Sequence, residues 1–570
     1  MTTRRMRMLA ATGVTLAALT LTSCHGIPVA GGVHQGLTDL AQAEQEVQYR
    51  PDSPMPDATQ EEIVRGFLQA ASSAANNYDI ARQFLTDDYR DQWDPNQSVT
   101  IDEGTRKYPI IDDIPMEGED EIVSVVVNGI ASVDERGVLT QLDSDESSPF
   151  QFGLQEQDGE WRIASAPNGV LLDRATFLEV WSVHQLYFTG AKSTLVSDTR
   201  WFLKRATMGS HIINQLLAGP TDELTGVAVS SFPTGTKLSS DSVIIEGGTA
   251  RIDFSSEFEA ITEEGRKLVD MQLSSSLYAL AGVSKYVVTV GGVEIMSGQV
   301  ALAQTLMPPK PEGGTSVGVM HSKGYGVLGS TGITADPSYS KVLMPMNPER
   351  IVMSRDGRAA VVLAEDGLHW ATPQTSFLFD DRPGLLEPTT DPSGYVWTFD
   401  PAKPEQINLW HPVSDNMTLP TPELVDEKVV AMRLSPDGNR IAILVDDDGA
   451  SKVLVTGVVR DDNGVPQRFV GLGSPQENWV YGAPLDIDWV DTQRVGVLSA
   501  GEGDATRFAL TGPGLLAETR AGVSKAKTIR GGGRLQLTYL LTASGEVLSP
   551  QGTSSWQRQA QDISVVTKRG

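Results

Sequence analysis

The chain has 570 residues, a formal net charge of −28 and a single cysteine, Cys24. A chain this acidic repels phosphate backbones, which excludes nucleic acid as a partner, and one thiol excludes internal disulfides. Stability must come from core burial, for which the length suffices several times over.

The chain opens MTTRRMRMLAATGVTLAALTLTSCHG. Arg4, Arg5 and Arg7 form a positive n-region, and Met8 to Leu19 an uncharged, mostly apolar run. That run is too short to span a bilayer and leads to a processing site, so it reads as a signal peptide over residues 1–23. Leu21-Thr22-Ser23-Cys24 has the bacterial lipobox pattern. Cleavage is expected between Ser23 and Cys24, and Cys24 is expected to become an S-diacylglycerol, N-palmitoyl cysteine. A thiolate is the side-chain nucleophile this chemistry needs. Losing the three arginines moves the net charge from −28 to −31. Two or more acyl chains anchor stably without a basic patch. The expected address is the extracytoplasmic face of the cell membrane, with the protein anchored by lipid.

Residues 24–55 lack sustained periodicity and read as a flexible tether, with an average span of roughly 30 Å for about 30 residues. Order is predicted from Pro56-Asp57, with Asp57 and Gln60 in capping-box spacing. Ile63, Val64, Phe67, Leu68 and Ala71 follow at helical spacing, and Ile80, Ala81, Phe84 and Leu85 predict a second helix stopped by Asp94-Pro95. Strands are expected at 122–127, 138–142 and 150–154, the last turning through Asp158-Gly159 into Trp161 and Ile163. Two helices followed by a curved antiparallel sheet ending DGEWRI resemble the NTF2-like α+β cone, over residues 56–190. Arg200-Trp201-Phe202, just beyond, is read as an interdomain contact.

Ile212, Ile213, Leu216 and Leu217 predict an apolar helix face ending at Gly219-Pro220. Strands are predicted at 243–245, 250–254 and 286–290, with a helix over 266–280. The wording LLAGP, FPTGTKL, ARIDFSSEF and GVSKYVVTVGG resembles the GerMN domain, an α/β interaction module, over residues 191–307. Residues 308–319 include a Pro- and Gly-rich run and are read as a linker.

From 320 to 570 short strands alternate with turns. Asp356-Gly357, Ser393-Gly394, Asp437-Gly438, Asp488-Trp489-Val490-Asp491 and Ser544-Gly545 each precede a strand signal, at an average period near fifty. Such weak repetition argues for a β-propeller of five or six blades. The fold class is therefore multidomain, α+β and all-β. Lipobox, cone, GerMN and propeller in that order resemble the actinobacterial lipoprotein LpqB family along essentially the full length.

Several chemical motifs fail on context. Ser338-Tyr339-Ser340-Lys341 and Ser414-Asp415-Asn416 match an acyltransferase pattern, but KVLMPM after them reads as a strand where that chemistry needs a helix. Gly324-Tyr325-Gly326-Val327-Leu328-Gly329 matches a dinucleotide fingerprint with no helix to receive the pyrophosphate, and reads as a propeller strand. Asp446-Asp447-Asp448-Gly449 reads as a hairpin turn rather than a calcium loop. The seven histidines, 25, 34, 184, 211, 321, 369 and 411, form no zinc-binding pair. The acidic stretch 117–121 reads as a solvated loop. Trp370, Trp397, Trp410, Trp479, Trp489 and Trp556 read mostly as blade core, with glycan stacking as their other use.

No nucleophile, base and oxyanion donor come together, so the chain reads as a non-enzymatic interaction protein without cofactor or metal. Resemblance to the LpqB family implies a role as modulator of a two-component system of the MtrA–MtrB type. The implied partner is the extracytoplasmic domain of the sensor kinase MtrB, which ties the chain to envelope homeostasis and cell division. The alternative is a lipoprotein that binds peptidoglycan or another glycan of the cell wall.

Overall fold

A computed structural model describes residues 51–109, 120–142, 147–240, 242–301, 317–329, 331–472, 476–552 and 555–569. The first 50 residues, with Ser23 and Cys24, lie outside them, as do 302–316 and 110–119, which take in most of the expected linker and acidic stretch.

The first domain begins with helix α1 (Gln60–Ala70), capped by Thr59, whose hydroxyl accepts from Glu62 N while Glu62 accepts from Thr59 N. The capping box therefore lies two residues later than Asp57 and Gln60 suggested: Thr59 holds the extended backbone a cap requires, whereas Asp57 is left-handed. Ile63, Val64, Phe67 and Leu68 are buried as their spacing requires. Helix α2 (Asp79–Arg82) is a single turn. Phe84 and Leu85 leave it early because their backbone pairs with Ile163.

Strands β1 (Ser98–Lys107), β2 (Glu121–Asp134), β3 (Leu139–Gln141), β4 (Ser147–Gln157), β5 (Glu160–Ser165) and β6 (Val170–Asp173) make one sheet in the order β5-β4-β2-β1-β6, with β3 beside β2. All its pairs are antiparallel except β1 with β6. Phe67, Trp93 and Phe152 meet edge-on in the core. Helix α3 (Arg174–Val180), capped by Asp173, closes the domain.

Strands β7 (Trp181–Gly190), β8 (Leu195–Leu203) and β9 (Ala228–Val229) form a three-stranded sheet. Leu186 and Phe188 of β7 pack in the second core beside Val196 and Ile212. The second core thus reaches back into residues that the sequence reading assigned to the first domain. Helix α4 (Met208–Ala218) and helix α5 (Glu263–Ser276) cover that core together with a sheet ordered β10 (Ile244–Glu246), β11 (Thr249–Phe254), β12 (Lys285–Val290), β13 (Val293–Gln299).

The rest is all-β apart from one short helix and single turns. β14 (Val317–His321), β15 (Gly324–Gly329) and β16 (Gly332–Ala335) precede helix α6 (Pro337–Leu343). Successive antiparallel sheets follow: β17 to β20 within 350–380, β21 to β24 within 389–420, β25 to β29 within 429–480, β30 to β33 within 484–521 and β34 to β37 within 526–560. The last strand, β38 (Ile563–Arg569), pairs antiparallel with β14. Among the described residues these strands make five sheets of at least four strands, one of them eight-stranded in the order β16-β15-β14-β38-β17-β18-β19-β20, in which β38 joins both ends of the region by pairing antiparallel with β14 and parallel with β17. The first strands β21, β25, β30 and β34 touch in succession, and β34 touches β38, which lies beside β17.

Candidate functional site

The shape of the surface is set by whatever fixes the domains against one another. Arg200-Trp201-Phe202 on β8 does most of that fixing, because a strand sends alternate side chains to opposite faces. The Trp201 ring sits in the first core, 4.8 Å from Phe177. Its indole N–H donates to Gly514 O in the third domain at 2.8 Å. Phe202 points the other way, into the second core. Three neighbouring residues therefore tie all three domains, beyond the two-domain contact expected. Gly137, at φ 79°, is required beside them: a Cβ there would lie 2.4 Å from Trp201 O.

Arg200 is fully buried and binds Asp198 through Nε and NH2 at 3.2 and 2.9 Å. It also donates to Arg136 O in the first domain, and Arg136 in turn donates to Pro220 O in the second. Two further bonds join the first domain to the third: Arg174 to Ala517 O at 2.7 Å and Trp479 N to Gln141 Oε1 at 3.1 Å. The second domain meets the third through a buried ion pair, Arg440 to Glu223 Oε1 at 2.9 Å, and Arg440 also donates to Ser197 O. Val459 and Val470 pack against the second core from the third domain. Burial pushes the Glu223 carboxyl above its usual range against the pull of Arg440, and its Oε2 has no hydrogen-bond partner. The pair therefore holds position at an electrostatic cost.

Charged side chains also fill the middle of the third domain. Glu387, before β21, accepts from Arg433 on β25 and Arg530 on β34 at 2.9 and 2.5 Å, and pairs with Arg350 on β17 at 3.2 Å. Asp486 on β30 binds the same Arg433 and Arg530 at 2.9 and 3.1 Å. Against burial, the three arginines hold the Glu387 carboxyl below its usual range. Asp486 is pushed up by burial. Four first strands thus converge on one buried network, which is a plug rather than a channel. Sequence reasoning missed these residues; the available signal was a charge inside an apolar strand, as in VVAMRL and PLDIDW.

The rejected motifs fall as follows. Ser338 and Lys341 lie on α6, not on the strand expected after Pro337, because Asp336 caps Ser338 N and Tyr339 N and the helix buries Tyr339 and Leu343. Both Ser338 and Lys341 are exposed. Ser414 and Asn416 are engaged in a turn around His411. The glycine-rich segment is the strand β15. Asp448 and Gly449, both at positive φ, make the hairpin turn between β26 and β27. Each described histidine has a local partner: Ser182 for His184, Arg205 for His211, Lys323 N for His321, Asp366 for His369 and Ser414 N for His411. Among the described residues no three His, Cys, Asp or Glu are grouped to hold a metal. Trp397 and Trp489 are fully buried, but Trp370 and Trp410 are only half-buried and 5.5 Å apart.

Family models match three consecutive stretches: "Lipoprotein LpqB, N-terminal domain" over 53–178, "Sporulation and spore germination" over 185–295 and "Lipoprotein LpqB beta-propeller domain" over 340–565. The chain belongs to the LpqB lipoprotein family. Lipoprotein LpqB of Cutibacterium acnes is 24% identical over 600 residues, covering 96% of this chain and 97% of its own. Lipoprotein LpqB of Bifidobacterium longum is 27% identical over 485 residues, covering 80% of each. The first GerMN domain of GerM from Bacillus subtilis is 22% identical with a TM-score of 0.18, covering 20% of this chain and 86% of its own. The LpqB layout of N-terminal, GerMN and β-propeller domains is thus present in full. No described helix is long and apolar enough to cross a membrane.

Proposed function

We propose that the chain is a lipid-anchored extracytoplasmic accessory protein that modulates a two-component sensor kinase of the MtrA–MtrB type. In this reading Cys24 carries the lipid, the first domain is an NTF2-like cone, and the five sheets are the blades of a propeller closed by β38, the eight-stranded sheet supplying two of six. The observation that supports it is the tie at Arg200-Trp201-Phe202: three domains joined through one strand present a single shaped surface, as a protein that selects one conformation of a partner requires. Such a ligand shifts the kinase by the ratio of its affinities for the two sensor states and by no more.

The test is co-reconstitution of the lipidated chain with the kinase in liposomes. Saturable binding accompanied by a change in autophosphorylation is expected. Kinase activity that stays flat at saturation, with no complex formed, overturns the reading. A second reading, binding of a wall glycan, is favoured by one feature: Trp410 gathers Trp370, Phe377 and Phe379 within 4.3 to 5.9 Å, and Phe377 is 47% exposed. Sedimentation of the chain with isolated wall, lost on Trp410→Ala, would select it.

A further inference from the structure

A cleft of about 1360 Å³ lies between the first and second domains. It exceeds the usual ~300–1,000 Å³ of small-molecule sites, which favour domain junctions. One wall is α1 with the turn after it, a second is Arg106 and Tyr108, and a third is α3 with the segment Leu203–Thr207 that leads into α4. In a chain of net charge −28, this lining gathers four cations: Arg65, Arg106, Lys204 and Arg205. Three carboxylates share it, Asp79, Asp173 and Glu179. Asp173 is committed to the α3 cap, where it accepts from Ala175 N, Thr176 N and Thr176 Oγ1, and Asp79 and Glu179 stand exposed at the edges.

Each of the four cations has a partner that orients it, although the Arg65 side chain is 54% exposed. Arg65 lies 4.0 Å over the Tyr108 ring and bonds Glu61. The Nε of Arg106 is fixed by the fully buried Asp102 at 2.8 Å. Lys204 donates to the carbonyls of Leu178 and Glu179 at the end of α3. Arg205 reaches His211 through NH2, while its buried Nε has no hydrogen-bond partner. Between them Leu68, Ile80 and Val180 supply apolar wall. The rim carries strain as well. Asn76, Asn77 and Tyr78 have φ of 49°, 60° and 62°, three consecutive left-handed residues without a glycine. Such strain, greatest at the bulky Tyr78, gathers at ligand clamps.

We propose that this cleft binds an amphiphilic phosphate: a phosphate group taken by the arginines, with a short apolar stem against Leu68, Ile80 and Val180. Arginine suits the task because its planar fork meets phosphate oxygens two at a time and stays charged. An anionic lipid headgroup and a soluble phosphomonoester share this chemistry. The segment 203–207 connects the cleft directly to β8 and hence to Trp201, so occupancy acts at the point where the three domains are tied. The proposal adds a ligand to the accessory role and does not depend on which kinase is the partner.

The test is calorimetric titration of the full lipidated chain in phosphatidylcholine nanodiscs, with inorganic phosphate and with monomeric dihexanoylphosphatidylglycerol. Saturable one-to-one binding is expected, weakened about tenfold by Arg65→Gln and again by Arg205→Gln, as loss of one charge-assisted hydrogen bond requires. Lys267→Gln, on an exposed stretch of α5 away from the cleft, should bind as the parent does. Binding of the lipid probe alone assigns the site to a headgroup, and equal binding of inorganic phosphate assigns it to a soluble ligand. Either outcome supports the cleft. Absence of binding by both probes, or unchanged affinity in a folded Arg65→Gln, Arg205→Gln double variant, overturns it.

Discussion

Arg440 reaches from the propeller into the GerMN domain and holds Glu223 Oε1 at 2.9 Å, with both side chains buried. Removing one partner leaves the other as an uncompensated buried charge, which costs about 3–5 kcal/mol, whereas replacing both with apolar groups can be neutral. Arg440→Met is therefore expected to lower stability strongly in urea unfolding, and Arg440→Met with Glu223→Leu to recover most of the loss. A double variant no more stable than Arg440→Met would show that the pair contributes little to joining the domains.

His211 gives the chain an acid-side weakness. Burial first, and the Arg205 guanidinium second, hold the imidazole below its ordinary range near 6.5. A base whose folded pKa is depressed folds with fewer protons bound, so its contribution is full above the unfolded value and falls as pH drops below it. Stability measured by denaturant is expected to decline from about pH 6.5 downward, with a shallower decline in His211→Gln. Identical pH profiles for the two proteins would remove His211 from the account.

Helices α1 and α4 were legible because each buries one face at helical spacing: Ile63, Val64 and Phe67 on α1, Ile212, Ile213 and Leu216 on α4. Local capping chemistry decided the places that were misread. Thr59 rather than Asp57 holds the cap of α1, and Asp336 with Pro337 makes a helix of a segment whose Val342 and Leu343 look strand-like. Strand β7 drew no expectation in the sequence, and its place in the second core was illegible because WSVHQLYFTG carries no mark of which core its apolar face meets. The plug was illegible for a different reason. Glu387, Arg433, Asp486 and Arg530 are spread over 143 positions, and only closure of the sheets brings them together.

Lipidation at Cys24 is testable in cells. Cys24→Ser is expected to abolish incorporation of labelled palmitate and to leave residues 1–23 uncleaved, because the hydroxyl is a far weaker nucleophile than a thiolate at neutral pH. Label entering the Cys24→Ser protein would exclude this cysteine as the acceptor.

Ring closure rests on β38, the last described strand. Gly318, Val319 and Met320 of β14 pair with Thr567, Val566 and Val565, so residues nearly 250 positions apart complete one sheet. Ile563, Val565 and Val566 are buried there, at 3%, 3% and 1% exposure. Each such side chain is worth about 1.5–3 kcal/mol on burial, so the three together approach the ~5–15 kcal/mol that separates a folded domain from its unfolded state. Ending the chain at Asp562 also leaves β14 and β17 with bare edges, a template for aggregation. The truncated protein is therefore expected to lose its cooperative thermal transition in the propeller and to elute as aggregate in size exclusion. A synthetic peptide of residues 563–570, added during refolding, should restore part of the monomer if pairing with β14 is what closes the ring. A truncated chain that stays monomeric with an unchanged melting profile would mean that the remaining strands hold the ring without it.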